Sequence, residues 1–341
     1  MSNAINYERE GGDESFCVLF FKQDISRYSK DQEKGGSMRF IMLLLIAAFV
    51  IMPLTNVEAQ KAKTIDELAK MFDSSQCKSC HAEIYAQWEK SHHARPFLGV
   101  AGGMQLIPVV KSSAFKVKDP KEATLKTFPC FKCHLPQAVE HAEDSVAVEL
   151  ATALFAFSAE NATDDAKKAE KAKVAKLQIT CLVCHNEKAI THKLIEGKPE
   201  KGVIYSTKNN DGHPGGKVKK SAIMSQAIFC GQCHGTGPNF EFDYPVQCAT
   251  LYGSYQHNYL SNGGFESCQE CHMKKINGKA DHLIGPNFDD KAQTGDFLSK
   301  NIHLNVQTLG YQWLRKAGDL RPMVVVNTKI THDAGHRIPD G

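Results

Sequence analysis

Residues 77–94 read CKSCHAEIYAQWEKSHHA. Two cysteines flank two residues, and a histidine follows at once. The same Cys-x-x-Cys-His pattern recurs at 130–134, 181–185, 230–234 and 268–272, and uses ten of the twelve cysteines. This spacing is that of a c-type haem attachment site. Two thiols add to the two vinyl groups of one porphyrin, so they must sit within a single turn of backbone. The next residue then lies under the iron and supplies an axial nitrogen. The pattern predicts five covalently bound c-type haems. The attachment residues are Cys77, Cys80, Cys130, Cys133, Cys181, Cys184, Cys230, Cys233, Cys268 and Cys271, and the proximal ligands are His81, His134, His185, His234 and His272.

Other uses of cysteine fit less well. A tetrahedral zinc site takes four ligands from two knuckles, so an odd number of knuckles does not pair off, and zinc gives no reason for a histidine after every second cysteine. A thioredoxin-like site needs one Cys-x-x-Cys in a βαβ setting. Of the two remaining cysteines, Cys17 falls before the export signal described below, and Cys248 reads as a small buried hydrophobe.

The motifs form a loose repeat of roughly 50 residues, a unit too small to build a good apolar core alone. Macrocycles must supply much of the buried surface. The expected fold is mainly α with much irregular loop, organised around a chain of five c-type haems, with a small β element near the C-terminus. Helical patterns cover 64–72 and 81–94. Alanine-rich patterns at 137–157 and 164–177 suggest a helical hairpin turning at 158–163. Residues 99–129 and 197–220 read as loop, and 291–318 as helix. The run Met323–Ile330, MVVVNTKI, is the convincing strand signal.

Residues 38–59, MRFIMLLLIAAFVIMPLTNVEA, have the form of a secretory signal peptide: Arg39 as n-region, Phe40–Leu54 as h-region, Val57-Glu58-Ala59 as a small-x-small cleavage site. Residues 1–37 fit no export signal and read as an upstream extension, translation starting at Met38. The expected divisions are 1–37, the signal at 38–59, a pentahaem domain at 60–290, and a C-terminal helix and strand at 291–341, which reads as truncated. Export to the periplasm or cell exterior follows. Of 41 Lys+Arg and 38 Asp+Glu, six and eight lie in residues 1–59, leaving 35 and 30. Two propionates per haem would offset this excess, so the charge gives no support to nucleic-acid binding.

Ten histidines lie outside the motifs: 92, 93, 141, 192, 213, 257, 282, 303, 332 and 336. Five irons need at most five more ligands, so every haem can take two histidines. His141 and His192 each follow a proximal histidine by seven residues. On one helix that is two turns along the same face, so each would ligate a neighbouring haem. His282 is taken as a further candidate. Helical phase sets His92 rather than His93 near the face of Tyr85 and Trp88, and alone does not settle which of the two ligates.

Together, CKSCHAEIYAQWEKSHHA at 77–94, ITCLVCHN at 179–186, FCGQCHGT at 229–236 and ESCQECHM at 266–273 resemble the multihaem cytochromes with a cytochrome c-552/c-554-type domain, related to the hydroxylamine-oxidoreductase group. The resemblance covers about 75–275. It implies secreted or periplasmic carriers with closely packed bis-histidine haems. In its W-x-x-S-x-H-A pattern the histidine corresponds to His93, implying an axial ligand. AGHRIPDG at 334–341 resembles a GHxPTG motif with Asp340 in place of threonine, which makes His336 the last candidate. No Cys-x-x-Cys-Lys site matches those of catalytic relatives.

The function expected is electron transfer between a donor, such as a quinol-oxidising membrane complex, and a terminal reductase or another cytochrome. Two alternatives remain open: an oxidoreductase acting on a small nitrogen or sulfur compound at one open haem, and self-association into an extracellular cytochrome filament.

Overall fold

A computed structural model describes residues 60–99, 117–127, 131–190, 197–235 and 250–338. The proposed extension and export signal, with Cys17, Cys130, His192 and Cys248, lie outside them. Among the described residues no helix is long and apolar enough to cross a membrane.

Helix α1 (Ile65–Met71) starts at Thr64, whose hydroxyl accepts from the Glu67 amide at 3.1 Å. This satisfies one of the free amides of the first turn. Helix α2 (Ala82–Lys90) begins directly after His81 and buries Trp88, whose indole donates to the Ile179 carbonyl at 3.0 Å. The chain then leaves the helix at Ser91 and makes a single 3-10 turn over His92–Ala94. Helices α3 (Phe131–His134) and α4 (Pro136–His141) are separated by Leu135, at φ −150° and ψ 58°. Proline disfavours the helical conformation in the residue before it, and lacks the amide a continuing helix would use.

Helix α5 (Asp144–Ser158) buries Val146, Ala147, Leu150, Ala151, Ala153 and Leu154. It packs on α6 (Asp164–Val174), so the expected helical hairpin forms, but the first pattern is two helices, α4 and α5, not one over 137–157. Thr163 caps α6, Asp164 and Asp165 fill its first turn, and Lys171 and Lys173 its last, each sign facing the favourable end of the helix dipole. Ile65, Leu68, Phe97, Phe131, Leu135 and Leu177 complete one apolar core. Each such fully buried side chain contributes roughly 1.5–3 kcal/mol.

A π turn over Val183–Glu187 carries the third motif. Strands β1 (Ile204–Ser206) and β2 (Val218–Lys220) pair in parallel within the stretch expected to be loop, over a small cluster of Ala189, Ile190, Val203 and Tyr205. Helix α7 (Ala227–His234) holds the fourth motif. Helix α8 (Leu251–Ser254) runs into a π turn at Tyr255–Tyr259, and α9 (Cys268–His272) holds the fifth motif behind a Ser267/Glu270 capping box. A side chain at Gly231 would meet the Tyr252 ring at 2.7 Å, so glycine is what lets that ring lie on the fourth motif. Beyond Ser221 the buried side chains among the described residues are Thr250, Ser254 and Tyr255.

Strands β3 (Lys275–Ile276) and β4 (Lys279–Ala280) make a minimal hairpin. Helix α10 (Lys291–Ser299) ends well short of 318. The rest of that expected helix is strand β5 (Ile302–Lys316), paired antiparallel with β6 (Asp319–His332), which contains the predicted 323–330 strand. The alternation of Ile302, Leu304, Val306 and Thr308 with polar neighbours is a strand period, and pairing completes it: Leu304 faces Ile330, Thr308 faces Val326 and Leu309 faces Val325.

Candidate haem sites

Four motif histidines each face a histidine from a distant part of the chain. The ring centres are 6.0 Å apart for His81 and His213, 6.3 Å for His93 and His234, 6.3 Å for His185 and His282, and 6.2 Å for His272 and His336. The ring planes meet at 7°, 79°, 19° and 18° respectively. A metal–imidazole bond is about 2.0 Å and a ring nitrogen lies about 1.1 Å from its ring centre, so two imidazoles on one metal have centres roughly 6.2 Å apart. All four separations suit an iron atom between the rings.

Hydrogen bonds set the tautomers. A backbone carbonyl can only accept, so a ring nitrogen facing one carries the proton and leaves the other nitrogen bare for a metal. Nδ1 of His134 donates to Pro96 O at 2.6 Å, that of His185 to Tyr205 O at 2.8 Å and that of His272 to Gly285 O at 2.6 Å. The same holds for His282 on Ala280 O and His336 on Arg337 O, both at 2.8 Å. His213 is the exception: its Nδ1 accepts from the Gly215 amide at 3.1 Å, which sets the proton on Nε2, so this ring offers a metal no bare nitrogen until that proton moves.

At His93, His134, His185, His234 and His272 burial favours the neutral ring, the form that binds metal. Desolvation, helped by His234, His92 and His134, pushes His93 down to about 4. Burial lowers His185, with His282 and His81 adding to it and the Tyr205 hydrogen bond opposing. Burial lowers His234 first, then the charges of His272, His134 and His336. His134 and His272 are lowered by burial against the pull of their carbonyls.

The thiols of different motifs meet. Cys77 lies within hydrogen-bonding reach of Cys181, and Cys230 of Cys268. Cys133 Sγ is 3.4 Å from the Cys233 carbonyl oxygen. Burial pushes the Cys184 thiol up to about 11, with Cys181 adding to it. The contacts tie motif one to three, four to five and two to four. The donor set at four motifs, two thiols with a pair of opposed imidazoles, fits a covalently held haem.

The remaining predicted residues fall elsewhere. His141 Nε2 is 3.0 Å from Glu187 Oε1, and its ring packs edge-on to Phe72 at 5.2 Å. The break at Leu135 removes the continuous helix on which its two-turn offset from His134 depended. The ring against His134 is Phe97, 5.9 Å away. His192 and Cys130 lie outside the described residues. Of the adjacent pair, His93 faces His234, while His92 packs on Phe288 at 5.4 Å. His213 was missed as a candidate: it sits in the glycine-rich NNDGHPGG stretch, where no periodicity assigns a face.

No curated protein and no solved structure gives a match to the chain. Residues 76–154, which hold the first two motifs and most of α5, match the family described as cytochrome c554 and c-prime. That match supports a cytochrome c-type family for this chain, with covalently bound haem as its cofactor and haem-based electron transfer as its role.

Proposed function

We propose that this chain is an exported multihaem cytochrome that carries electrons through five covalently attached haems between a donor and a terminal acceptor or reductase. The observation that supports it most directly is the set of four histidine pairs at 6.0–6.3 Å. Haem, when bound, supplies an iron that takes up and releases one electron. The chain's own residues do the rest. His81 with His213, His93 with His234, His185 with His282 and His272 with His336 would each fill both axial positions of one iron. Such positions leave no room for a substrate and change little in shape between redox states. Histidine without methionine also keeps the potential low. The thiol contacts place motifs one and three, four and five, and two and four side by side, so neighbouring groups are close enough to exchange electrons.

Low-temperature electron paramagnetic resonance (EPR) of the ferric holoprotein tests this. Four low-spin bis-histidine signals are expected. The His93/His234 iron stands apart, because its nearly perpendicular ring planes give a single large g feature. Haem counting by mass, at about 0.6 kDa each, checks the cofactor number. High-spin signals from most of the haems would refute the carrier reading.

One observation favours a second reading. Among the described residues the ring against His134 is Phe97, which cannot ligate. An open position on the iron of the second motif would suit reduction or oxidation of a small nitrogen or sulfur compound. Carbon monoxide added to the ferrous protein separates the two: fast stoichiometric binding at one haem supports the enzyme, and negligible binding supports the carrier.

A further inference from the structure

The backbone of residues 91–95 is well satisfied. The Ser91 amide donates to Trp88 O at 2.9 Å, the Arg95 amide to His92 O at 3.0 Å, and His93 O accepts from Ile179 N at 2.9 Å. The side chains are not. Ser91 Oγ, His92 Nε2 and Arg95 Nε are buried with no hydrogen-bond partner, three such atoms within five positions. Ser91 is 2% exposed. Arg95 pairs with Asp289 through Nη2, but its Nε points at nothing that accepts.

Leaving such groups unpaired costs about 1–3 kcal/mol each, and more where the group is charged. All of them can donate: a hydroxyl, an imidazole in its Nε2–H tautomer and the guanidinium Nε–H. Neighbouring donors that include a guanidinium recognise an oxyanion, a carboxylate above all. The same five residues carry His93, which faces His234. Residues two apart lie within about 7 Å along the chain, less than the reach of an arginine beyond a bound porphyrin edge.

We propose that Ser91, His92 and Arg95 form a carboxylate cradle that holds a propionate of the haem whose iron lies between His93 and His234. The inference rests on the haem reading above. Arg95 binds the propionate through Nε while Asp289 holds its other edge, so the guanidinium is fixed in place before the haem arrives. His92 then has a task distinct from that of its neighbour: His93 meets the metal and His92 the porphyrin's acidic rim. A free oxyanion, such as inorganic phosphate or nitrite, has the same chemistry and is the other source to be distinguished.

The test uses holoprotein and the perpendicular-ligand EPR signal to identify this haem in a redox titration. Arg95→Gln is expected to move the midpoint of that haem downward and leave the other steps in place, because a positive charge that favours the reduced state is lost. Arg95→Lys should restore part of the shift. Asp289→Asn, which removes the opposing charge, should move the same step upward. Should Arg95→Gln fail to fold, Ser91→Ala and His92→Phe keep the Arg95–Asp289 pair and should still change the propionate bending band of one haem in resonance Raman spectra. An absent perpendicular signal would sink the haem reading itself. A signal present but unmoved by Arg95→Gln and Asp289→Asn, or equal movement of all steps, would overturn the cradle. Midpoints that shift when inorganic phosphate or nitrite is added to the wild type would assign the site to a free anion instead.

Discussion

Residues 60–190 and residues 222–338 carry haem motifs on opposite terms. The first region owns a polypeptide core of twenty or so buried apolar side chains, centred on α5 and α6. In the second, Tyr255 is the one buried large hydrophobic among the described residues, while Leu304, Val324, Val326 and Ile330 lie more than half exposed on the hairpin. Yet His272 and His336, both in the second region, oppose each other at 6.2 Å, nearly the spacing of the three pairs that take one histidine from the first. Position of the ligands therefore does not require an apolar core made of side chains. In the second region bound porphyrin faces would have to do that work, and the hairpin contributes a two-stranded ribbon that is marginal alone in water.

The largest expected effect separates the regions outright. Chain expressed without haem attachment should keep slow hydrogen exchange in α5 and α6 and lose it in α7 and α9. Equal protection in both would end the comparison. Next, His282→Ala or His336→Ala should convert one ferric haem from low spin to high spin. His141→Ala should leave the spectrum as it is, since its partner is Glu187. A spectral change in His141→Ala with none in the other two would reverse the ligand assignment. Smaller still, Leu150→Ala should cost about 3 kcal/mol. The denaturation midpoint should fall while the haem absorption in the native state is unchanged. At the low end, Thr163→Ala should cost about 1 kcal/mol through its lost helix cap. A loss as large as that from Leu150→Ala would mean that the hairpin, not its core, governs the first region.

What could be read from sequence divides along physical lines. Covalent chemistry leaves a local signature, so each Cys-x-x-Cys-His stands out without any fold. The α5–α6 hairpin was legible because alanine-rich periodicity and the Thr163 cap act within a few residues. The helix expected over 137–157 breaks instead at Ala142 and Glu143, both extended, where no glycine or proline marks the point. The axial partners were harder. His213 lies in a loop with no periodic face, and what makes it notable is His81, far away in sequence. Strand β5 was legible and misread: Ile302, Leu304, Val306 and Thr308 alternate with His303, Asn305 and Gln307, a strand period, and β6 supplies the pairing.

The pairing of distant histidines has one further consequence. With an iron between each pair, the closed stretches run 81–213, 93–234, 185–282 and 272–336. Every stretch overlaps the next. A single backbone cut anywhere from 81 to 336 therefore leaves two pieces still joined through at least one metal. Loops of roughly 60 to 140 residues, once closed, also remove several kcal/mol of freedom from the unfolded chain. Closed in this way, the chain would hold together through its metals, and a protease that nicks it would not take it apart.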